Sequence, residues 1–441
     1  MINELTVTQR EEASPEWLRH WVRALVFIFP ITVATIGWGS VIFGLLLLPA
    51  LYYGRGWKKL SAGEQRIMAG YVLLLLAMAL SMVNAEDLKE SGQMLERFLR
   101  FSMIVPIYLM FRRYRFTMGR ELAAGAFFAC LVMAIQAVYE VMWQGESVVS
   151  GHYNKIVFGD LAMWWAAVIA VAAVTVMKHW WQRVFIVAAI LLALYASVLA
   201  QARGAWLFVP LIPVILFWSW GIWLKKTRLW VVIGLVAIFT LVGATLLQSD
   251  KIMGSIEQGI TNVEQFTKDP AKRNSWGIRL NLWRNAFLVF KEHPVLGSGT
   301  GDFSLEMKRL VDDGRSWSPH VVEFSHAHNI YFDAMARAGL VGLAAMILAT
   351  LLLPLAFFYR GVRREVEPWA RFYAAGSVML IAAFATFGLS EGLWLRNPFI
   401  NTYVIALVVF MAGLVNHREA SAPTPRRDET LDKVREQPEV A

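Results

Sequence analysis

Residues 159–177 read GDLAMWWAAVIAVAAVTVM. One acid, Asp160, stands near the start, and no charge follows until Lys178. A helix needs about 20 apolar residues, range about 17–25, to cross the hydrocarbon core of a bilayer. The stretch has that length and no polar face to turn toward water, so it predicts a membrane-spanning helix. Working outward, the same signature recurs at 120–143, 94–111 and 67–83 on one side, and at 184–200, 205–224 and 229–247 on the other. It returns at 339–359, 370–390 and 399–415. Residues 22–53 are apolar almost throughout, divided only at Gly37, Trp38 and Gly39. As one helix they would be about 48 Å long at 1.5 Å per residue. A tight pair, 22–37 and 38–53, fits a bilayer better. The expected fold is an all-α polytopic membrane protein with about twelve transmembrane helices.

Composition agrees. Of the 441 residues, 57% are hydrophobic and only 17% charged. Soluble domains carry about 45–50% apolar and about 25% charged residues, so lipid must solvate much of this chain. Disorder, collagen and a disulfide scaffold are excluded. The single cysteine, Cys130, lies in an apolar run and reads as a buried thiol. The first apolar run is too long for a signal peptide's core and is expected to stay as an anchor.

A net charge of +9 could suggest nucleic acid. Its distribution points instead to loop bias. One alternate set of loops carries seventeen Lys and Arg, from Arg55, Lys58, Lys59 and Arg66 through to Arg360, Arg363, Arg364 and Arg371. The opposite short loops carry four: Lys89, Lys155, Arg203 and Arg396. The basic set faces the cytoplasm by this rule, and both termini lie with it. The chain then divides into a cytoplasmic segment 1–21, nine spans over 22–247, one large outer loop 248–338, three spans over 339–415 and a charged, disordered tail 416–441. Within the outer loop, 279–291 and 303–311 read as helices. A loop that long with helical patterning reads as functional.

Ionisable groups inside membrane spans mark sites by default. Here they gather toward the outer face: Arg97 and Arg100, Glu140, Asp160 and Arg203. Arg203 sits in a loop of a few residues, which holds its guanidinium at the membrane surface, where it can grip phosphate oxygens or lipid headgroups. Arg279 and Trp283 share a helix face, with Arg284 rotated away by about 100°. Arg279 is the better ligand candidate. His293-Pro-Val-Leu-Gly-Ser-Gly-Thr-Gly-Asp-Phe303 lacks the Lys and Ser/Thr of a P-loop and reads as a turn that packs the loop on the membrane domain. His326, His328 and Asn329 open a helix, with Ser325 as its expected cap. The positive end of the helix favours a neutral imidazole at His328, the form a general base requires. Asp333 and Arg337 form an i,i+4 salt bridge. The HxH spacing offers two metal ligands, but no Cys, His or carboxylate nearby in sequence completes a set; no metal or other cofactor is expected.

Two patterns then coincide. Arg203-Gly-Ala-Trp-Leu207 fits an R-x3-L element. His328-Asn329, nine further residues and Gly339-Leu-Val-Gly342 fit an H-[NSQ]-x9-G-x-x-G element without a gap. With the Arg279-x3-Trp283 segment, these resemble the O-antigen ligases of Gram-negative bacteria, within the wider ligase and polymerase group, over roughly residues 60–415. The resemblance implies a membrane-embedded, metal-independent, inverting glycosyltransferase of the GT-C type. It implies a donor glycan on undecaprenyl diphosphate, a lipid A–core oligosaccharide as acceptor, and a site on the periplasmic face of the inner membrane. In that reading Arg203 and Arg279 bind the diphosphate, His328 takes the acceptor's proton and Asn329 orients His328 or the sugar. His326, Arg284, Trp283, Arg97 and Arg100 line the substrates. An O-antigen polymerase or a protein-glycosylating ligase would use the same donor. A transporter of lipid-linked glycan would instead need polar residues along a path through the membrane centre and matching repeats, and neither is evident.

Overall fold

The computed structural model describes residues 14–220 and 274–421, together with isolated positions between them. All regular structure among the described residues is helical. Eight helices are long and apolar enough to cross a membrane, and Gly39–Tyr53 and Arg203–Trp218 are shorter apolar segments. The count of twelve is thus not reproduced among the described residues. The expected span 229–247 lies outside them, as do 1–13, 422–441 and most of 248–273. The expected span 94–111 is two helices, Leu88–Ser102 and Ile104–Arg113, joined at Met103. Residues 205–224, which contain Pro210 and Pro213, also fail to form one rod: a short Arg203–Trp206 turn precedes Leu211–Trp220. Proline removes an amide donor and clashes with the preceding turn.

The 22–53 stretch is a pair, Glu16–Thr35 and Gly39–Tyr53, broken where Gly37 adopts φ 76°. Two boundaries differ from expectation. The first helix starts at Glu16, and the last runs from Asn397 to Ser421, beyond the expected tail boundary.

Burial sorts the helices. Lys155–Thr175 and Asn397–Ser421 are each 94% buried over their apolar windows, whereas Trp180–Leu199 is 39% buried and Ile330–Tyr359 33%. The first two are the central staves and the latter two lie at the periphery. Polar groups at the centre are satisfied internally, as a lipid-embedded core demands: Tyr71 donates to the Tyr403 hydroxyl at 3.0 Å, and Tyr403 donates to the Thr350 carbonyl at 2.6 Å.

The segment Ser275–Asp312 has its own small core. Ser275–Glu292 presents Ile278, Leu282, Ala286 and Val289 at helical spacing, and these meet Phe303, Met307 and Leu310 of Phe303–Asp312. Each large apolar side chain buried this way contributes roughly 1.5–3 kcal/mol. The glycine-rich turn docks this segment on the chain after the third apolar helix. Asp302 accepts from the amides of Glu86 and Asp87 at 2.7 and 2.8 Å, Asn84 donates to the Gly297 carbonyl at 2.9 Å, and Ser91 accepts from Gly301 at 2.9 Å. The turn ends against a break inside Ile330–Ile347, where Gly339 takes φ 60° and ψ −155°.

Candidate functional site

The chain before Ile330 explains how His328 is placed. Asn329, not Ser325, caps the helix, accepting from the amides of Tyr331 and Phe332 at 2.9 and 3.2 Å. Its amide nitrogen donates to the Leu389 carbonyl at 3.2 Å. The Asn329 side chain is therefore occupied by backbone. His328 precedes the cap in a left-handed conformation, φ 51°, which for a non-glycine residue costs of order 1–3 kcal/mol. Several bonds hold it there. Trp283 donates to the Ala327 carbonyl at 2.9 Å while its ring stacks on Phe332 at 5.6 Å. The Ala327 amide donates to Asp333 at 3.1 Å. Arg337 pairs with Asp333 at 2.9 Å and donates to the Thr300 carbonyl at 2.6 Å. Asp333 and Arg337 are both buried, so removing either would strand an ion and cost about 3–5 kcal/mol.

The loop between Pro368–Phe387 and Asn397–Ser421 closes over this turn. The Ile330 amide donates to the Gly388 carbonyl at 2.8 Å. Glu391, 1% exposed, then lies against both histidines: one oxygen is 3.7 Å from His328 Nδ1, the other 3.9 Å from His326 Nε2 and 3.3 Å from Arg396 Nε. Burial alone would raise the Glu391 carboxyl; its approach to His328 and the charges of His326 and Arg396 outweigh burial and hold it down at about 2. Burial, reinforced by His328, pulls the His326 imidazole down to about 4. His326 is neutral at neutral pH. Its Nδ1 accepts the His328 backbone N–H at 3.1 Å, so its proton resides on Nε2, facing Glu391.

Glu391 escaped the sequence reading. It is the sole acid between Gly388 and Arg396, in a short loop between two apolar helices, but nothing in its spacing links it to a histidine 63 residues earlier.

Two glycines bring Arg203 to the same place. A side chain at Gly204 would meet Ser390 Oγ at 2.1 Å, and one at Gly159 would meet Ala202 at 2.2 Å. The Arg203 turn thus presses against the residue before Glu391 and the residue before Asp160. Arg279 completes the group: Glu391, Arg203 and Asp160 are the charges that act on it. Burial lowers its guanidinium from the ordinary value, with Glu391 opposing, and it remains a cation. It makes no hydrogen bond or ion pair among the described residues. Asp160 is fully buried, and neither of its oxygens meets a donor among the described residues.

The other sequence candidates fall elsewhere. Arg284 points away from the group, lying 4.1 Å from the Trp317 ring and donating to the Arg315 carbonyl at 2.8 Å. Arg100 is tied to Glu96 at 2.8 Å and Ser40 at 3.3 Å. Arg97 is closer in effect, within the fields of Arg337 and Arg396. Glu140 binds the Ser150 and Gly151 amides and shapes its own loop.

His326, His328 and Glu391 offer three potential ligand atoms within 4.8 Å of one another. This corrects the expectation that no carboxylate joins the HxH pair. The donor chemistry still fits a metal badly. A metal takes a bare ring nitrogen, but His326 Nε2 carries the proton that Nδ1 cannot, and Arg396 stands on the set's one carboxylate. The three side chains thus share protons among themselves, and the Arg203 and Arg279 guanidiniums adjoin them.

Residues 187–347, which include Arg203, Arg279, His326 and His328, match the family model described as O-antigen ligase. The chain is also 23% identical over 353 residues to an uncharacterized protein of Haemophilus influenzae, covering 77% of this chain and 85% of that one.

Proposed function

We propose that this chain, whose residues 187–347 match the O-antigen ligase family model, transfers a glycan from undecaprenyl diphosphate to a sugar hydroxyl of the lipid A–core oligosaccharide. The reaction takes place at the periplasmic face of the inner membrane, with both chain termini in the cytoplasm. The observation that carries this reading is Arg279: a half-buried cation with no ion-pair partner among the described residues, in the field of a second arginine, Arg203, and of the Glu391 carboxylate that faces both histidines. A desolvated cation without a partner is costly, and a diphosphate supplies the missing charge.

Arg203 and Arg279 grip the diphosphate oxygens and stabilise the charge that grows as the bond to the anomeric carbon breaks. The acceptor hydroxyl attacks that carbon from the opposite side, inverting it. The proton of the hydroxyl passes to the free ring nitrogen of His328, Nε2, and the electron pair of the broken bond leaves with the diphosphate. The Glu391 charge, 3.7 Å from His328 Nδ1, favours a proton on that nitrogen, which frees Nε2 to act and stabilises the imidazolium that forms. His326 locks the His328 backbone. Asn329 contributes through its cap rather than by touching sugar, and Trp283 pins the turn from the outer helix. The arginines take the place of a metal as counter-charge. Both substrates are lipids, so the site opens at the hydrocarbon boundary.

The test is transfer in detergent from a defined undecaprenyl-diphosphate glycan to lipid A–core, with EDTA present. Wild type should react. His328→Ala should lose about 10²–10⁴-fold and Arg203→Ala about 10²–10³-fold, with insertion and folding intact. A product built only on a second lipid-linked glycan would reassign the chain as a polymerase; product on a pilin-type protein would reassign the acceptor; and transport of donor without transfer would remove the enzyme reading.

A further inference from the structure

The chemistry proposed above uses Arg203 and Arg279 and leaves a second pair of guanidinium groups near Glu391 without a task. Arg396 meets Glu391 through Nε at 3.3 Å, and its two terminal nitrogens make no hydrogen bond or ion pair among the described residues. Its side chain is 38% exposed, so an external group can reach those nitrogens. Arg97 is half-buried, and its one hydrogen bond among the described residues runs to Met94 Sδ at 3.0 Å. A thioether is a weak acceptor. Glu90 and Glu96 are the acids that act on Arg97. Glu96 is taken by Arg100 at 2.8 Å, and Glu90, two helical turns back, stays beyond ion-pair distance.

Packing sets the two arginines side by side. The Phe98 ring meets the Trp394 ring edge-on at 5.2 Å, which lays the helix turn carrying Arg97 against the loop carrying Arg396. Trp394 Nε1 donates to Asp333 at 3.0 Å, the same carboxylate that accepts the Ala327 amide, so this loop is fixed on the turn that holds His328. Arg337 and Arg396 are the cations in the field of Arg97, and Arg337 is tied to Asp333 at 2.9 Å. Neighbouring guanidiniums repel each other and gain most from an anion that joins them.

The donor diphosphate is not that anion. The charges that act on Arg279 are Glu391, Arg203 and Asp160; neither Arg97 nor Arg396 is among them. A diphosphate reaching from one pair to the other would cross the Glu391 carboxylate, which repels it. We propose that Arg97 and Arg396 bind a phosphomonoester on the acceptor oligosaccharide and so deliver a nearby hydroxyl to His328. A phosphomonoester carries about two charges and three free oxygens and engages both forks, whereas a carboxylate is satisfied by one. The assignment rests on the transferase reading above and adds the acceptor feature that the enzyme selects.

The test uses full-length protein in detergent and two acceptors, lipid A–core with its phosphomonoesters and the same material after their removal. Binding of each is measured by microscale thermophoresis on His328→Ala, which does not turn over; transfer is measured with His328 intact. The phosphorylated acceptor should bind at least about 10-fold more tightly. Adding Arg97→Gln should weaken it by about 10-fold and leave the dephosphorylated acceptor unchanged, and Arg97→Lys should recover part of the loss. Lys89→Gln, which removes a cation from the exposed side of the same helix, should change neither. In transfer, Arg97→Gln should raise acceptor KM by the same factor and leave donor KM and kcat in place, whereas a folding defect would depress kcat with both acceptors. Equal binding of the two acceptors, an equal loss for both on Arg97→Gln, or a rise in donor KM instead of acceptor KM overturns the proposal. Phosphate-dependent binding through Arg97 in a protein that performs no transfer would remove the ligase reading and keep the site; transfer that ignores Arg97 and the phosphate would remove the site alone.

Discussion

Glu391→Gln isolates what the carboxylate does for His328, because it removes the charge and keeps the shape. At 3.7 Å, a full charge–charge interaction is about 4 kcal/mol at an effective dielectric of ~20. Arg396 shares the carboxylate at 3.3 Å, and proton transfer is only partial in the transition state. About half of the interaction is then expressed, about 2 kcal/mol, which is roughly a 30-fold loss in kcat. Donor binding should be unchanged or slightly tighter, since Glu391 also competes for Arg279. The discriminating measurement is kcat against donor KM. Without the carboxylate the imidazolium formed in the transition state is less stabilised, so kcat should fall while donor KM stays level or drops. Damage to packing would raise donor KM as well. Glu391→Asp should restore part of the rate. A Glu391→Gln enzyme with kcat within about twofold of wild type would refute the pairing.

Four further outcomes follow from the geometry. Arg279→Gln should lose about 10²–10³-fold in transfer, whereas Arg284→Gln, whose partners are Trp317 and the Arg315 carbonyl, should retain most activity; steady-state kinetics on the pair decides it. Asn329→Ala removes a helix cap and should destabilise by about 0.5–2 kcal/mol, lowering kcat with little change in donor KM, read by thermal unfolding alongside the assay. Gly339→Ala places a Cβ 2.5 Å from the Val295 backbone at φ 60°, so folded protein in the membrane should fall sharply, as size-exclusion yield would register. His326 is held down to about 4 from an ordinary 6.5. Its neutral form is favoured by folding, so its contribution to stability is complete above about 6.5, declines as pH falls and is lost below about 4. That contribution is a few kcal/mol at most. Thermal unfolding against pH should show the decline in wild type and a reduced one in His326→Gln.

Sequence and tertiary structure divided the labour along physical lines. Membrane spans are legible because lipid solvation acts on each segment separately: about 20 apolar residues in a row are enough, whatever the neighbours. Hence 159–177 and 370–390 are found close to where the chain places them. Helix continuity is less legible. The break at Met103 and the proline-bearing stretch after Arg203 arise from packing and backbone constraints that a hydropathy window averages away. Capping was misread for a related reason. Ser325 and Asn329 are both good cap residues, and only the contacts of the surrounding turn show that Asn329 is the one bonded to the amides of Tyr331 and Phe332.

The proposed site shows the same division more sharply. Arg203, Arg279 and His328 are visible in the sequence because each sits in a local pattern, a short outer-face loop, a helix face or a turn before a helix. Their convergence is not visible. It depends on Gly159 and Gly204 letting the Arg203 turn press between the helix Lys155–Thr175 and the loop that carries Ser390, and on Glu391 closing over the histidines from that same loop, 63 residues after His328. Local sequence determines which segments enter lipid and which residue types wait at its edge. Only the packed chain decides which charges share a space, since electrostatic partnership follows distance through the fold, and distance along the chain says almost nothing about it.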